Sequence, residues 1–266
     1  MAAGHRHSRR APHACAVEAV TPSAPRALDH VLFRQRWQDV VFLHWPADPF
    51  EVARLLPPGT VPDLHHGRTY VGLVFFRMRR LALGPLPPIP GVGTFDEVNV
   101  RLYSRDALGR RGVVFRSLDC DRLAPVVVAR AAFGLPYRWS QTLSRWYGPR
   151  LLYRSRGRGG MRPTSRVWVH VTDRTVAPQP LDGFLTNRWG LHARVFQRSY
   201  YLPNAHTPWT FQHCDLLDWG ASAVAAAGLT APTTEPVSVL YAPGVQVEFG
   251  LPAFLPPTPW HPARRP

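Results

Sequence analysis

The chain has 266 residues, 45% of them apolar, and its 32 basic and 17 acidic side chains give a formal charge of +15. That length and apolar fraction suit one globular domain and exclude a disordered chain. Every basic residue is arginine, so the chain cannot form an imine through a side-chain amine, anchor pyridoxal phosphate or supply the lysine of a P-loop.

The absence of lysine, together with 29 prolines and 20 glycines, is typical of a GC-rich bacterial genome. The net charge is therefore weak evidence for nucleic-acid binding. Ten arginines and no acidic residue nevertheless lie between residues 122 and 172. A concentration of positive charge of this kind attracts anions.

The two ends of the chain differ in composition from its middle. Residues 1–30 predict a disordered basic leader, 31–252 a single domain and 253–266 a proline-rich tail. The leader lacks the continuous apolar segment of a secretory signal, and no apolar run approaches the ~20 residues of a membrane span. The three cysteines form no C-x-x-C pair, which argues against a zinc site. We therefore predict a cytoplasmic protein without a membrane anchor, metal or cofactor, and the sequence leaves its oligomeric state open.

Two apolar segments near the start of the predicted domain indicate strands, DVVFLHW (39–45) and TYVGLVFFRM (69–78). The segment between them, DPFEVARLLPPG, predicts a short helix that Asp48 caps and that ends at the prolines. Next, FDEVNVRLYS (95–104) and VVFRSLDCD (113–121) predict the two strands of a hairpin.

The second half of the chain continues with short helices and strands. APVVVARAAFGLPY (124–137) predicts a helix that ends near Gly134, and RLLYRSRGRGGMRPTSRVWVHV predicts two strands around a glycine turn. Two more short helices are predicted in PLDGFLTNRWGL and GASAVAAAGL, and PVSVLYAPGVQVEFGL predicts a hairpin around Pro243 and Gly244. Many antiparallel strands with three or four short helices indicate a β-rich α+β domain.

The strand FDEVNVRLYS has two chemically different faces. With a period of two, Val98, Val100 and Leu102 point one way, and a carboxylate, an amide, a guanidinium and a phenol point the other way. The polar residues of that second face are Glu97, Asn99, Arg101 and Tyr103. Such alternation indicates either a face in contact with water or a face that lines a polar cavity.

Six segments follow one another in the chain as FDEVNVRLYS, GVVFRSLDC, ARAAFGLPY, FLTNRWGL, HTPWTF and VSVLYAPGVQVEFG. Together they resemble successive blocks of the domain-of-unknown-function 2071 family, the YqjF-like proteins, over roughly residues 34–252. The ordered set carries the resemblance, since no single block is very specific. This family is similar to the acetoacetate decarboxylase-like superfamily, whose fold is a large antiparallel sheet curled into a cone or half-barrel around a central pocket.

The resemblance implies that the polar face of FDEVNVRLYS lines that pocket. Arg101 would then suit a ligand carboxylate, because its planar fork can donate two hydrogen bonds, and Glu97 would act as a general acid or base if burial raised its pKa. Asn99 would hydrogen-bond the ligand, and a structural Glu–Arg network is the alternative for these residues. Tyr103 is assigned to the rim or to packing.

Three further candidates come from other blocks of the resemblance. Arg130 and Tyr137 match ARAAFGLPY and are predicted to bind ligand, with a core position as the alternative for Tyr137. His206 matches a later block and is the predicted catalytic histidine, with an ordinary loop histidine as the alternative.

The lack of lysine separates this chain from the chemistry of the superfamily. Acetoacetate decarboxylases act through an imine between a lysine and the keto acid, and this chain has no lysine to form one. The sequence therefore predicts a pocket for a small, anionic organic acid or keto compound, with enolisation, dehydration or hydrolysis that needs no imine. A binding or sensing module without turnover is the alternative, and nucleic-acid binding through an arginine-rich hairpin at 145–166 is a weaker one.

Overall fold

A computed structural model describes residues 16–90, 93–158 and 162–256 of the chain. Within these residues, thirteen strands form one sheet and four helices pack around it. The strands are β1 (Phe33–Ala47), β2 (Thr60–Pro62), β3 (Thr69–Leu83), β4 (Phe95–Asp106), β5 (Arg111–Cys120), β6 (Tyr137–Tyr147), β7 (Arg150–Gly157), β8 (Thr164–Val176), β9 (Gly190–Val195), β10 (Arg198–His206), β11 (Phe211–Ala221), β12 (Ser238–Phe249) and β13 (Ala253–Phe254). The helices are α1 (Pro49–Leu55), α2 (Leu123–Phe133), α3 (Pro180–Thr186) and α4 (Ser222–Ala226).

The sheet curls until it closes on itself twice. Its strand order is β13-β10-β9-β5-β6-β7-β8-β11-β12-β1-β3-β4-β2, and β4 also pairs with β5 while β10 also pairs with β12. One ring therefore runs through β5, β6, β7, β8, β11, β12, β1, β3 and β4, and a second runs through β12, β1, β3, β4, β5, β9 and β10. The two rings share a wall of β12, β1, β3, β4 and β5. The predicted β-rich fold with a large curled sheet is confirmed.

The shared wall has two faces that line different spaces, because side chains alternate along each strand. On β4, Val98, Val100 and Leu102 join an apolar cluster that also contains Val167 and Val169 of β8. We call the space that they fill the apolar compartment. The opposite face of the wall packs against side chains of β9, β10, α2 and α3, and we call the interior region between them the lumen.

The helix before β3 forms as predicted. Pro49 occupies the first turn of α1, where its missing N–H costs nothing, and the side chain of Asp48 accepts a hydrogen bond of 2.7 Å from the backbone N–H of Phe50. α2 ends at Gly134, also as predicted. None of the helices in the described ranges is long and apolar enough to cross a membrane.

The predicted hairpin around Pro243 and Gly244 is wrong, because β12 runs through both residues as one strand. Gly244 lies opposite Gln38 of β1, and its φ is 151°. A Cβ at this position would lie 2.4 Å from the carbonyl oxygen of Trp37, so glycine serves a close approach of two strands and not a turn. The structure also contains a strand that the sequence interpretation missed, β6.

Parts of the predicted leader and tail contact the domain. The leader is joined to the domain from residue 16 onward: Glu18 N donates to Gly109 O at 2.9 Å, and Trp189 Nε1 donates to Thr21 O at 3.1 Å. At the other end, residues 253 and 254 form β13 beside β10. The first fifteen and last ten residues, and most of the predicted glycine turn at 159–161, lie outside the described residues.

Candidate functional site

The polar face of β4 lies inside the protein and not in water. Glu97, Asn99, Arg101 and Tyr103 expose only 2%, 3%, 7% and 0% of their surfaces. Because β4 is a wall strand between two neighbours, β3 and β5, its side chains leave the sheet on either face, and this set enters the lumen. All four side chains therefore lie on one buried face of β4, Tyr103 included, and their role in ligand binding stays a prediction.

Glu97 is held at one end of this row by two hydrogen bonds. Tyr137 of β6 donates its hydroxyl to Oε2 at 2.7 Å, and Asn99 donates from Nδ2 to Oε1 at 3.3 Å. Burial raises the pKa of Glu97 to about 7, although both hydrogen bonds favour the charged form, and the nearby charge of Asp119 adds to the rise. A carboxyl group with a pKa near neutrality can both give and take a proton under physiological conditions.

Arg101, at the other end of the row, is a buried cation whose charge is not neutralised. Its Nε donates to the hydroxyl of Tyr103 and its Nη2 to the carbonyl oxygen of Leu185, both at 3.1 Å. The guanidinium carbon also lies 5.2 Å from the ring centre of Phe42. Over the described ranges, no carboxylate oxygen lies within ion-pair distance of Arg101.

His44 of β1 is the histidine that the fold brings to Arg101. It is fully buried, and neither Nδ1 nor Nε2 has a hydrogen-bond partner among the described residues. Burial lowers its pKa well below the usual value, and the charges of Arg101 and Arg188 lower it further, so the ring is neutral. An unpartnered buried imidazole has the capacity for two hydrogen bonds that the protein does not use.

A glycine makes the meeting of these side chains possible. A Cβ on Gly72 of β3 would lie 3.0 Å from the hydroxyl of Tyr103 and 3.1 Å from both Cγ of Arg101 and Cδ2 of His44. The three side chains therefore converge over a backbone position that has no side chain of its own. Any larger residue at Gly72 would displace at least one of them.

A second arginine in the lumen, Arg188, forms an ion pair with a carboxylate, although its buried Nη2 has no hydrogen-bond partner among the described residues. Arg188 donates from Nη1 to Oδ2 of Asp63 at 2.5 Å and from Nε to the carbonyl oxygen of Phe184 at 2.7 Å. Arg111 donates to the same carboxylate oxygen at 2.5 Å. Because the carboxylate of Asp63 neutralises part of the positive charge of the two arginines, we interpret the three residues as an internal structural network.

The other predicted site residues lie elsewhere. His206 stacks between Trp189 and Trp209, with ring centres 4.4 and 4.9 Å away, and its Nδ1 donates to the carbonyl oxygen of Thr207 at 2.6 Å. Burial lowers its pKa to about 4, so it is a neutral and weak base. Arg130 is exposed on α2, and the structure therefore does not bring it into the lumen.

An aromatic stack connects the lumen with the surface. Trp209 lies in the segment between β10 and β11, with its ring centre 5.3 Å from Phe42 and 6.3 Å from Trp37. Its neighbours Thr207 and Pro208 are exposed. Since the guanidinium of Arg101 lies over Phe42, one chain of contacts from the exposed segment to Arg101 passes through Trp209 and Phe42.

A Ser–His–Asp arrangement also occurs at the end of β4, and sequence reasoning did not anticipate it. The Oγ of Ser104 lies 2.8 Å from Nδ1 of His192, whose Nε2 lies 3.4 Å from Oδ2 of Asp106. The hydroxyl of Ser104 also donates to the carbonyl oxygen of Gly112 at 3.3 Å, so its hydrogen bonds are used within the chain. We therefore assign these three residues a structural role at the end of β4. Within the described residues, no group of three or more His, Cys, Asp or Glu side chains could hold a metal ion.

Comparisons with known proteins identify the family and the fold. The chain belongs to the domain-of-unknown-function 2071 family, described as an uncharacterized conserved protein, whose model matches residues 34–246. It is 30% identical over 214 residues to the uncharacterized protein YqjF of Bacillus subtilis (strain 168), a match that covers 77% of this chain and 86% of YqjF.

Solved structures of acetoacetate decarboxylase type share the fold at low sequence identity. The acetoacetate decarboxylase of Legionella pneumophila matches with a TM-score of 0.59 and 16% identity, over 88% of this chain and 92% of that one. An acetoacetate decarboxylase-like enzyme of Sphingomonas wittichii RW1 matches with a TM-score of 0.56 and 14% identity, over 91% and 99%. The enduracididine biosynthesis enzyme MppR, complexed with pyruvate, matches with a TM-score of 0.55 and 16% identity, over 86% and 92%.

Proposed function

We propose that the lumen binds a small organic acid or keto acid and that Glu97 transfers a proton to or from it. The observation that carries the proposal is the state of Arg101, a buried guanidinium with no carboxylate partner in the described structure. A buried charge without a partner is costly, so a site that retains one is suited to an anion that arrives with the ligand.

The unused hydrogen-bonding groups around Arg101 support a carboxylate with a second polar group beside it. Arg101 offers its planar fork to the carboxylate, and His44, with two free ring nitrogens, lies beside it. Asn99 has an unpartnered buried oxygen, Oδ1, between Arg101 and Glu97 along the strand. A keto or hydroxy acid has oxygen atoms suited to these positions, and one fold neighbour was crystallised with pyruvate.

Glu97 supplies the proton-transfer group in this proposal. The Cα atoms of Glu97 and Arg101 are about 13 Å apart on an extended strand, so the two side chains reach one ligand from opposite ends. In an enolisation, the carboxylate of Glu97 would take the proton from the carbon next to the keto group, and the electrons of that C–H bond would form the enolate. No imine is involved, in keeping with a chain that has no lysine.

The ligand would enter past Trp209, since this residue separates Phe42 and the guanidinium above it from the exposed segment at Thr207 and Pro208. His206 stacks against the same ring and would take part in holding it in place. In this arrangement His206 holds Trp209 at the entrance, and Glu97 is the residue that contacts the reacting carbon.

The test uses pyruvate and acetoacetate as probes, with binding measured by calorimetry and enolisation measured as loss of the pyruvate methyl signal in D₂O by NMR. We expect binding to wild type, and an exchange rate that rises with pH through about 7, as the carboxylate of Glu97 forms. Glu97→Gln should retain binding and lower exchange about 100-fold or more. Arg101→Met should abolish binding.

Two results would contradict the proposal at different levels. Binding of either acid without exchange in wild type would leave a binding or sensing module and remove the enzyme. Absence of binding for both acids, or binding that Arg101→Met leaves unchanged, would remove the site itself. The matched control is Asp218→Asn, which alters an exposed ion pair with Arg166 and should change neither readout.

A further inference from the structure

A second polar depression lies outside the lumen, where β1, β3 and β12 run side by side. It has a volume of about 270 Å³ and is lined mainly by Arg34, Gln35 and Arg36 of β1, Arg80 of β3 and Gln246 of β12. The loop that follows β3 forms its remaining side. We call this depression the arginine pocket.

The arginine pocket gathers positive charge without a carboxylate in its lining. Arg79 is not part of the lining but lies directly opposite Arg36 in the strand register, and its buried Nε has no hydrogen-bond partner among the described residues. The nearest acidic side chain by strand register is Glu248, opposite Arg34, and across the described ranges the two form no ion pair. Guanidinium groups that line one small depression repel one another, and an anion bound between them would remove that repulsion.

The convergence of these arginines comes from an irregularity in the sheet. Arg34 pairs with Ala82 and Arg36 pairs with Arg79, so two residues of β3 lie opposite the single residue Gln35 of β1. This is a β-bulge, which changes the direction of the side chains around it. Arg80 sits in the bulge with a φ of 52°, a conformation that side chains other than glycine rarely adopt.

Arg34 is the fixed member of the group. Its Nη2 donates to the carbonyl oxygen of Gly84 at 2.6 Å, which ties the guanidinium to the loop beside the pocket. Arg36 and Arg80, which also line the depression, are exposed. The pocket therefore combines one anchored guanidinium with two that are free to close on a ligand.

We propose that the arginine pocket binds a small, multiply charged phosphate compound. A planar guanidinium donates two parallel hydrogen bonds to phosphate oxygens, and a phosphate offers oxygens in several directions where a carboxylate fills a single fork. The amides of Gln35 and Gln246 can complete the contacts. Ligand pockets for drug-sized molecules start at roughly 300 Å³, so this smaller space suits one or two phosphate groups with a short body attached.

The proposal is independent of the lumen, because it uses none of the residues assigned there. Its test is calorimetric titration of the purified full chain with pyrophosphate, with citrate, a 12-nucleotide single-stranded DNA and phosphoinositide vesicles as separate arms. We expect saturable binding of pyrophosphate at one site per chain, weakened by added salt. Tighter binding of citrate, of the DNA or of the vesicles would each overturn the proposal, as would the absence of saturable pyrophosphate binding.

Variants decide whether the binding belongs to this pocket. Arg36→Gln and Arg80→Gln remove exposed side chains and should each weaken pyrophosphate binding about tenfold or more, with the melting temperature unchanged. Arg154→Gln, an exposed change of equal charge on β7, is the matched control and should bind as wild type does. Equal weakening in the Arg154→Gln control would show a general effect of charge and would overturn the assignment.

Discussion

Two buried arginines, Arg101 and Arg188, lie near the ring of Tyr103, and they differ in their partners. The guanidinium carbon of Arg188 lies 4.9 Å from the ring centre of Tyr103, and that of Arg101 lies 5.6 Å from it. Arg188 meets the carboxylate of Asp63 at 2.5 Å, and Arg101 meets a hydroxyl and a carbonyl oxygen. Both are buried.

The difference between the two arginines separates structure from function. Burial lowers the pKa of Arg188, and the Asp63 carboxylate partly offsets this, so Arg188 has a counter-charge within the chain. Arg101 is surrounded instead by groups with unused hydrogen-bonding capacity, His44 and Asn99. A paired buried charge stabilises the fold, whereas an unpaired one is a cost that a ligand can remove.

Removing Asp63 would leave Arg188 without a carboxylate partner, as Arg101 is. Of the changes considered, this one has the largest expected effect on stability. Asp63→Asn takes the shared carboxylate from Arg188 and Arg111 and leaves a buried cation without a partner. We expect the free energy of unfolding to fall by about 3–5 kcal/mol, measured by urea denaturation at pH 7. Asp218→Asn, which breaks an exposed pair with Arg166, should cost less than about 1 kcal/mol.

If Asp63→Asn lowers the free energy of unfolding no more than Asp218→Asn does, the network of Asp63, Arg188 and Arg111 does not have the structural role assigned to it. Pyruvate binding should survive in the fraction of Asp63→Asn that remains folded, because Asp63 contacts Arg188 and Arg111 and not Arg101. A specific loss of binding in folded protein would show that the two arginines act as one site.

Much of the fold follows from local sequence, and the wrong prediction of a hairpin has a cause distant in the sequence. The alternation on β4 and the cap at Asp48 depend only on neighbouring residues, and both were predicted correctly. Pro243 and Gly244 have the composition of a turn, but Gly244 is required by the approach of β1, a strand about two hundred residues earlier in the chain. Contacts at such separations leave no mark on the local pattern.

The candidate site shows the same limit. Glu97 and Arg101 lie on one strand, and their common face could be predicted from a period of two. The pairing of Arg188 with Asp63 spans 125 residues and could not. His44 did leave a signal, since it is a polar residue on the same face of β1 as Phe42 within an otherwise apolar segment, and the sequence interpretation chose His206 instead.

A substitution of Glu97, at the acidic end of the lumen, has the next largest expected effect on stability, and this effect depends on pH. Glu97 is protonated up to about pH 7 in the folded protein, whereas its ordinary pKa is 4.5. The folded state therefore binds more protons than the unfolded state between these values, and stability is lost as the pH rises through them, by up to about 3 kcal/mol. Glu97→Gln removes this titration while an amide oxygen can still accept from Tyr137.

We expect urea denaturation to show that the stability difference between Glu97→Gln and wild type grows in favour of the variant from pH 5 to pH 8. Tyr137→Phe serves as the control, because it removes the 2.7 Å hydrogen bond but leaves the carboxyl group, so its pH dependence should persist. If the curves of wild type and Glu97→Gln run parallel, the pKa of Glu97 is not raised, and its role as a proton carrier is lost as well.

The smallest effect on stability is expected for a substitution of Arg101. This substitution is the sharpest test of the difference between Arg101 and Arg188. Methionine keeps the length of the stem against Phe42 and removes a charge that no carboxylate neutralises in the described structure. Arg101→Met should leave the free energy of unfolding unchanged or raise it by about 1 kcal/mol, whereas Arg188→Met should lower it by about 3 kcal/mol because Asp63 loses a partner. Both variants are measured by urea denaturation at one pH. Equal losses would mean that the guanidinium of Arg101 holds the barrel together as Arg188 does, and the unpaired charge would no longer point to a ligand.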